Sequence, residues 1–161
     1  MDTSEGRRAG TRARSIEAAA VAGIVYAGLA SLALTRMSSY PDLDMTDAEL
    51  TAWFHEDRNQ ILLGGALTLA SVSAIAFLWF VAVIRRRSGE REDRFFATVF
   101  FGSGIAYVAV WLTGAAVLAG PAIAMTMLDA AEVTPASASL AGGVAAGLLL
   151  VVAPRIQAVF V

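Results

Sequence analysis

Four long apolar stretches, at about residues 16–35, 60–84, 95–119 and 136–158, alternate with shorter polar segments along the chain. The two central stretches carry no charged residue from Ile61 to Ile84 or from Phe95 to Ala119. Each exceeds the roughly 18 uninterrupted apolar residues that mark a membrane-spanning helix. Between them lies RRRSGEREDR, Arg85 to Arg94, in which Ser88-Gly89 is a helix-breaking pair. The pattern predicts an all-α membrane protein, a bundle of four transmembrane helices whose central pair forms a hairpin around a basic turn.

Local signals refine each stretch. Residues 1–14 are polar and rich in arginine, and they predict a disordered cytoplasmic tail ahead of a transmembrane domain over 15–161. Ser15 is a candidate N-cap, and Glu17 suits the positive end of the first helix dipole. The apolar run after the tail imitates a cleaved signal peptide but is longer than the usual 7–15 residues of such a segment, which favours an uncleaved span. Ala19, Gly23, Ala27 and Ser31 recur every four residues, a small-residue stripe against which another helix can pack closely. Thr46 and Glu49 match a capping box, so an amphipathic helix is expected over about 47–57. Its Leu50, Trp53 and Phe54 would face the membrane surface, with Trp53 and Tyr40 in the interfacial aromatic belt.

Further along, Ala66, Ala70 and Ala74 form a second stripe, and Gly102 with Ala106 is a small-xxx-small pair. Gly120-Pro121 is expected to end or kink the third span, with a short interfacial turn over Ala122–Leu128 and an acidic link over Asp129–Val133. Thr134-Pro135 supplies an N-cap and a proline at the first helical position of the fourth span. That span carries Ser139, Gly143 and Gly147, the last two a literal GxxxG. The chain stops, still apolar, at Val161, as expected of a fragment of a longer multi-pass protein.

Charge sets the expected orientation. Arg7, Arg8, Arg12 and Arg14, with Arg85, Arg86, Arg87, Arg91 and Arg94, fall on one side of the alternating spans, against Arg36 and Arg58 on the other. The positive-inside rule then places the N-terminus and the 85–94 turn in the cytoplasm of a cell-membrane protein, with the five turn arginines as topogenic anchors. Composition agrees: 57% of residues are apolar and 16% charged, against about 25% charged in soluble domains. A net charge of −2 provides no basic field for nucleic acid, so the expected partners are the bilayer, other membrane proteins or a second copy of the chain. The chain has no cysteine, which excludes disulfides, thiolate-ligated metals and a thiol nucleophile.

The acidic segment ending AELTAWFHEDRNQILLGG, the stretch FLWFVAVIRRR and the terminal PRIQAVFV together resemble an uncharacterised family of small multi-pass membrane proteins of GC-rich Gram-positive bacteria. The resemblance runs from about Pro41 to Val161. It implies a multi-pass topology with further spans and no particular chemistry.

Candidate chemistry is sparse. Arg155 either pairs with Glu17 as an intramembrane or interfacial ion pair, or snorkels to headgroups and marks the end of span four. His55, Glu56 and Asp57 form a cluster readable as metal ligands, a pH-responsive contact or a solvated helix face; sequential helical positions point in different directions, which favours the last. Tyr107 and Trp111, one turn apart, either line a small-molecule or lipid site or pack in the core. With no assembled catalytic, cofactor or metal site, the expected role is a non-enzymatic one in helix packing or interaction. The alternative is a component of a small-molecule or ion transporter, and a membrane-embedded enzyme ranks third.

Overall fold

A computed structural model describes residues 3–41, 45–88, 94–127 and 133–158. The described residues form helices α1 (Thr3–Met37), α2 (Asp47–His55), α3 (Asp57–Ser88), α4 (Arg94–Met127), α5 (Pro135–Ala146) and α6 (Ala153–Gln157), with a π-helical stretch Gly147–Val152 joining the last two. Four segments are long and apolar enough to cross a membrane: Glu17–Met37, Asp57–Arg85, Ala97–Met125 and Pro135–Gln157. The shortest has 21 residues, about 32 Å of helix against a hydrocarbon core of about 30 Å.

The bundle runs up and down. Gly23 of α1 approaches Phe80 of α3 while Gly65 of α3 approaches Arg36 of α1, so these helices are antiparallel. Trp111 meets Ala70 and Arg85 meets Phe101, which sets α4 antiparallel to α3. Gly114 lies against Leu149, and Gly102 lies near Ile156, which reverses the direction once more. The N-terminal end of α1, the C-terminal end of α3, the start of α4 and the end of α6 therefore share one end of the bundle.

Much of the interior is alanine, and many branched apolar side chains face outward. Ala22, Ala33, Ala70 and Ala145 are fully buried, whereas Ile24 is 72% exposed, Ile61 71% and Leu140 69%. Small residues inside let backbones approach, and branched apolar residues outside suit lipid rather than water. Hydroxyls on the spans are satisfied locally: Thr35, Thr68 and Ser71 each donate to the carbonyl four residues back, at 2.9, 2.9 and 3.0 Å. No buried side-chain polar atom among the described residues lacks a partner.

Several expectations are altered. Helix α1 begins at Thr3, so the segment expected to be disordered continues the first span and Ser15 is an interior residue, not an N-cap; its Ala, Arg and Glu residues are good helix formers. Pro121 does not end α4, which continues to Met127 with the proline inside it. The apolar side of helix α2 is turned onto the bundle. Its Leu50 and Phe54 are buried in a second small core with Leu63, Ala122 and Ala138, so it caps one end of the bundle. The capping box is present, with Thr46 N–H donating to Glu49 Oε2 at 2.9 Å and Glu49 N–H to Thr46 Oγ1 at 3.4 Å. Thr134 caps α5 through Ser137 N–H at 3.2 Å, with Pro135 at its start. Most of the acidic link expected over 129–133 lies outside the described residues.

Candidate functional site

Inside the bundle, three spans contribute an aromatic and hydroxyl cluster that the fourth closes. The hydroxyls of Tyr26 on α1 and Tyr107 on α4 hydrogen-bond to each other. The Gln157 side chain at the end of α6 also hydrogen-bonds the Tyr26 hydroxyl. Phe77 of α3 packs against both rings, with centroids 5.0 Å from Tyr26 and 4.6 Å from Tyr107. Trp111 stacks one turn along from Tyr107 at 6.2 Å, and its indole N–H donates to the Ala70 carbonyl at 3.1 Å. Ser73 Oγ donates to that same carbonyl at 2.8 Å. An alanine at 70 makes this possible, because a larger side chain would hold α4 away from the α3 backbone. Tyr107 and Trp111 are each 3% exposed; of their expected roles, the structure shows core packing.

A second feature lies on the outer face of the same end. Gly102, Ser103 and Ala106 of α4, Val152 from the π-helical stretch, and Arg155 and Ile156 of α6 line an open groove of about 660 Å³. Arg155 is exposed. Arg85 places its guanidinium 5.1 Å from the Phe101 ring centroid, a cation–π distance. Since Phe101 and Gly102 are adjacent, the two arginines meet α4 at similar depth. That depth corresponds to the end of the Asp57–Arg85 span. Glu17 is also exposed, and among the described residues no ion pair joins it to Arg155, which turns instead into the groove on α4.

The small-residue stripes divide into those used within the chain and those left outside. Ala66, Ala70 and Ala74 are all buried against neighbouring helices. On α1, Ala19 is buried and a Cβ built on Gly23 would lie 3.3 Å from Phe80 Cε2, but Ala27 and Ser31 are exposed. The buried line on α1 runs through Ala19, Ala22, Ala30, Ala33 and Met37, with half-buried Tyr26 in register. This is the alternating three-four spacing that keeps one face inward; steps of four alone rotate by about 40° each. A Cβ built on Gly143 or Gly147 would meet nothing within 4 Å, so the GxxxG faces away from this chain's own helices. Of the turn arginines, Arg86 and Arg87 continue α3, Arg94 opens α4, and Arg91 lies outside the described residues.

Three structural residues are absent from the sequence expectations. Gly114 is buried where a Cβ would lie 2.7 Å from Leu149 Cγ. Leu149 belongs to the π-helical stretch that accommodates Pro154, with Ala153 N–H donating to Leu148 O in an i→i−5 bond. Asn59 and Gln60 tie the α2–α3 elbow. Asn59 Nδ2 donates to Trp53 O at 2.9 Å and Glu56 Oε2 at 3.0 Å, and Gln60 Nε2 to Phe54 O at 3.0 Å. They add side-chain donors to carbonyls at the end of α2, of which Trp53 O also accepts the Glu56 N–H at 3.4 Å; two consecutive amides after an acidic break are the sequence signal.

At the capped end, Tyr40 donates from its hydroxyl to Ala138 O at 3.2 Å, and burial pushes its pKa up to about 12. Its ring meets those of Trp53 and Phe54 at 6.3 and 6.2 Å, so Tyr40 packs α2 onto the bundle. His55 Nδ1 lies 2.9 Å from Thr51 O, which its N–H tautomer satisfies as a donor. His55, Glu56 and Asp57 are all exposed, and among the described residues no group of three His, Asp or Glu converges as a metal site.

No protein family, curated protein or solved structure matches the chain. The fold itself defines the class: an all-helical bundle with four helices apolar and long enough to span a bilayer, which is the architecture of an integral membrane protein.

Proposed function

We propose that the protein is a non-enzymatic component of the cell membrane that associates through its helices with a second copy or with other membrane proteins. The observation that carries this reading is the outward GxxxG. Gly143 and Gly147 are left open by the chain's own packing, and small-xxx-small surfaces are what allow helices of separate chains to approach closely in lipid. The arginine asymmetry orients the bundle with the N-terminal end of α1 and the α3–α4 junction in the cytoplasm. Proximity crosslinking or energy transfer between tagged copies in native membranes tests the association. Gly143→Leu and Gly147→Leu are expected to abolish contacts to copies or partners while leaving the monomer folded. Unchanged association in both variants contradicts the reading.

A second reading, a transporter component, draws support from the interrupted fourth span. Its π-helical stretch precedes Pro154, and such irregularities recur at functional sites in membrane helices. Substrate-dependent flux into vesicles reconstituted with the purified chain would favour this reading over the first.

A further inference from the structure

We propose that the groove between α4 and α6 is a binding site for one anionic phospholipid, with its phosphate on Arg155 and an acyl chain lying over Gly102 and Ala106. Charge complementarity near the end of a span identifies the occupant. The groove is walled by Val152, Ile156 and the small residues Gly102 and Ala106, and its polar lining residues are Ser103 and Arg155. A Cβ added at Gly102 would meet nothing within 4 Å, so the floor is open to a chain lying along α4. Arg155 is exposed near the end of a span, where an arginine side chain reaches the level of the lipid headgroups. Among the described residues no carboxylate pairs with it. A phosphodiester matches a guanidinium fork in both charge and geometry, and basic pockets between transmembrane helices are established binding places for anionic headgroups.

Arg85 provides the internal comparison. It lies at the same end of the bundle and at similar depth, but over the Phe101 ring and outside the groove lining. A general attraction of basic residues to anionic lipid would involve both arginines; a site involves Arg155 alone. The inference is independent of which side of the membrane this end faces.

Native mass spectrometry of the full chain, purified in mild detergent and supplied with equal phosphatidylglycerol and phosphatidylcholine, tests it. The wild type is expected to retain a single phosphatidylglycerol in preference to phosphatidylcholine by about fivefold, the effect of one arginine near a headgroup. Arg155→Gln should remove the preference, Arg155→Lys should keep most of it, and Arg85→Gln should leave it unchanged. Gly102→Leu, whose Cβ enters open space and whose longer side chain would occupy the groove, should reduce retention of both lipids. Absence of preference in the wild type, survival of the preference in Arg155→Gln, or equal loss in Arg85→Gln each overturns the proposal. So does a shift in oligomeric state in Arg155→Gln with lipid retention unchanged, which would assign the arginine to a protein partner.

Discussion

Gly114→Ala is the most informative single change within the bundle. The new Cβ would lie 2.7 Å from Leu149 Cγ, 2.8 Å from Leu149 Cδ2 and 3.3 Å from Leu148 Cβ. Carbon atoms pack at about 3.5–4.0 Å, so one helix must move by up to roughly an ångström or Leu149 must leave its rotamer. Leu149 is held in the π-helical stretch and is 6% exposed, and Leu148 Cβ moves only with its backbone. Overpacking of this kind costs about 1–3 kcal/mol. Alanine recovers up to about 1 kcal/mol of helix propensity, which leaves a net loss of up to about 2 kcal/mol. Equilibrium unfolding in bicelles would measure it. The cycle with Leu149→Ala sharpens the test, because the double variant should be less destabilised than the sum by about 1–2 kcal/mol. Gly143→Ala is the control, since its Cβ meets nothing and propensity alone should make the isolated chain slightly more stable. If Gly114→Ala behaves like Gly143→Ala, or if the cycle is additive, the close α4–Leu149 contact is refuted.

Three further outcomes follow from named contacts. Trp111→Phe should lose about 0.6–1.7 kcal/mol in the same unfolding measurement, because the indole donor to Ala70 O disappears within the membrane; Trp79→Phe, on the exposed face, should change stability by less than about 0.5 kcal/mol. Asn59→Ala removes two hydrogen bonds across the elbow, should cost about 1–3 kcal/mol, and should speed amide exchange at the α2–α3 junction ahead of the spans. Glu49 is held below its ordinary pKa of 4.5 by the Thr46 backbone N–H and then its hydroxyl. A depressed folded-state pKa contributes stability present above the unfolded value and lost as pH falls through the folded one. Helix α2 should therefore loosen in acid below about 4.5, seen as faster exchange over 47–55, and Glu49→Gln should remove much of that pH dependence.

The four spans were legible because membrane helices announce themselves by length and by the absence of charge, which tertiary contacts do not alter. The two caps, Thr46 with Glu49 and Thr134 with Pro135, were legible because capping is local chemistry. Side-chain facing was read unevenly. The stripe Ala66, Ala70, Ala74 is buried throughout, since three residues at four-residue spacing span less than the width of one helix face. The longer stripe on α1 rotates away from α3 by Ala27, and Tyr26 takes the inward position. The role of α2 was hidden because Leu50 and Phe54 look the same whether they face lipid or the ends of α3, α4 and α5. Gly114 gave no signal, since its significance depends on the π-helical stretch more than 30 residues later that thrusts Leu149 toward it. The groove at Arg155 combines a residue that drew notice in the sequence with a surface, Gly102 and Ala106, that did not suggest a ligand on its own.

The most direct test of the central account, four spans oriented with the α3–α4 junction in the cytoplasm, is accessibility labelling in intact cells. The chain contains no cysteine, so single reporters need no background removed. Ser39→Cys and Ser137→Cys should react with a membrane-impermeant maleimide added outside, while Ser4→Cys and Ser88→Cys should react only after the membrane is opened. External labelling of Ser88→Cys, or protection of both Ser39→Cys and Ser137→Cys, would contradict it.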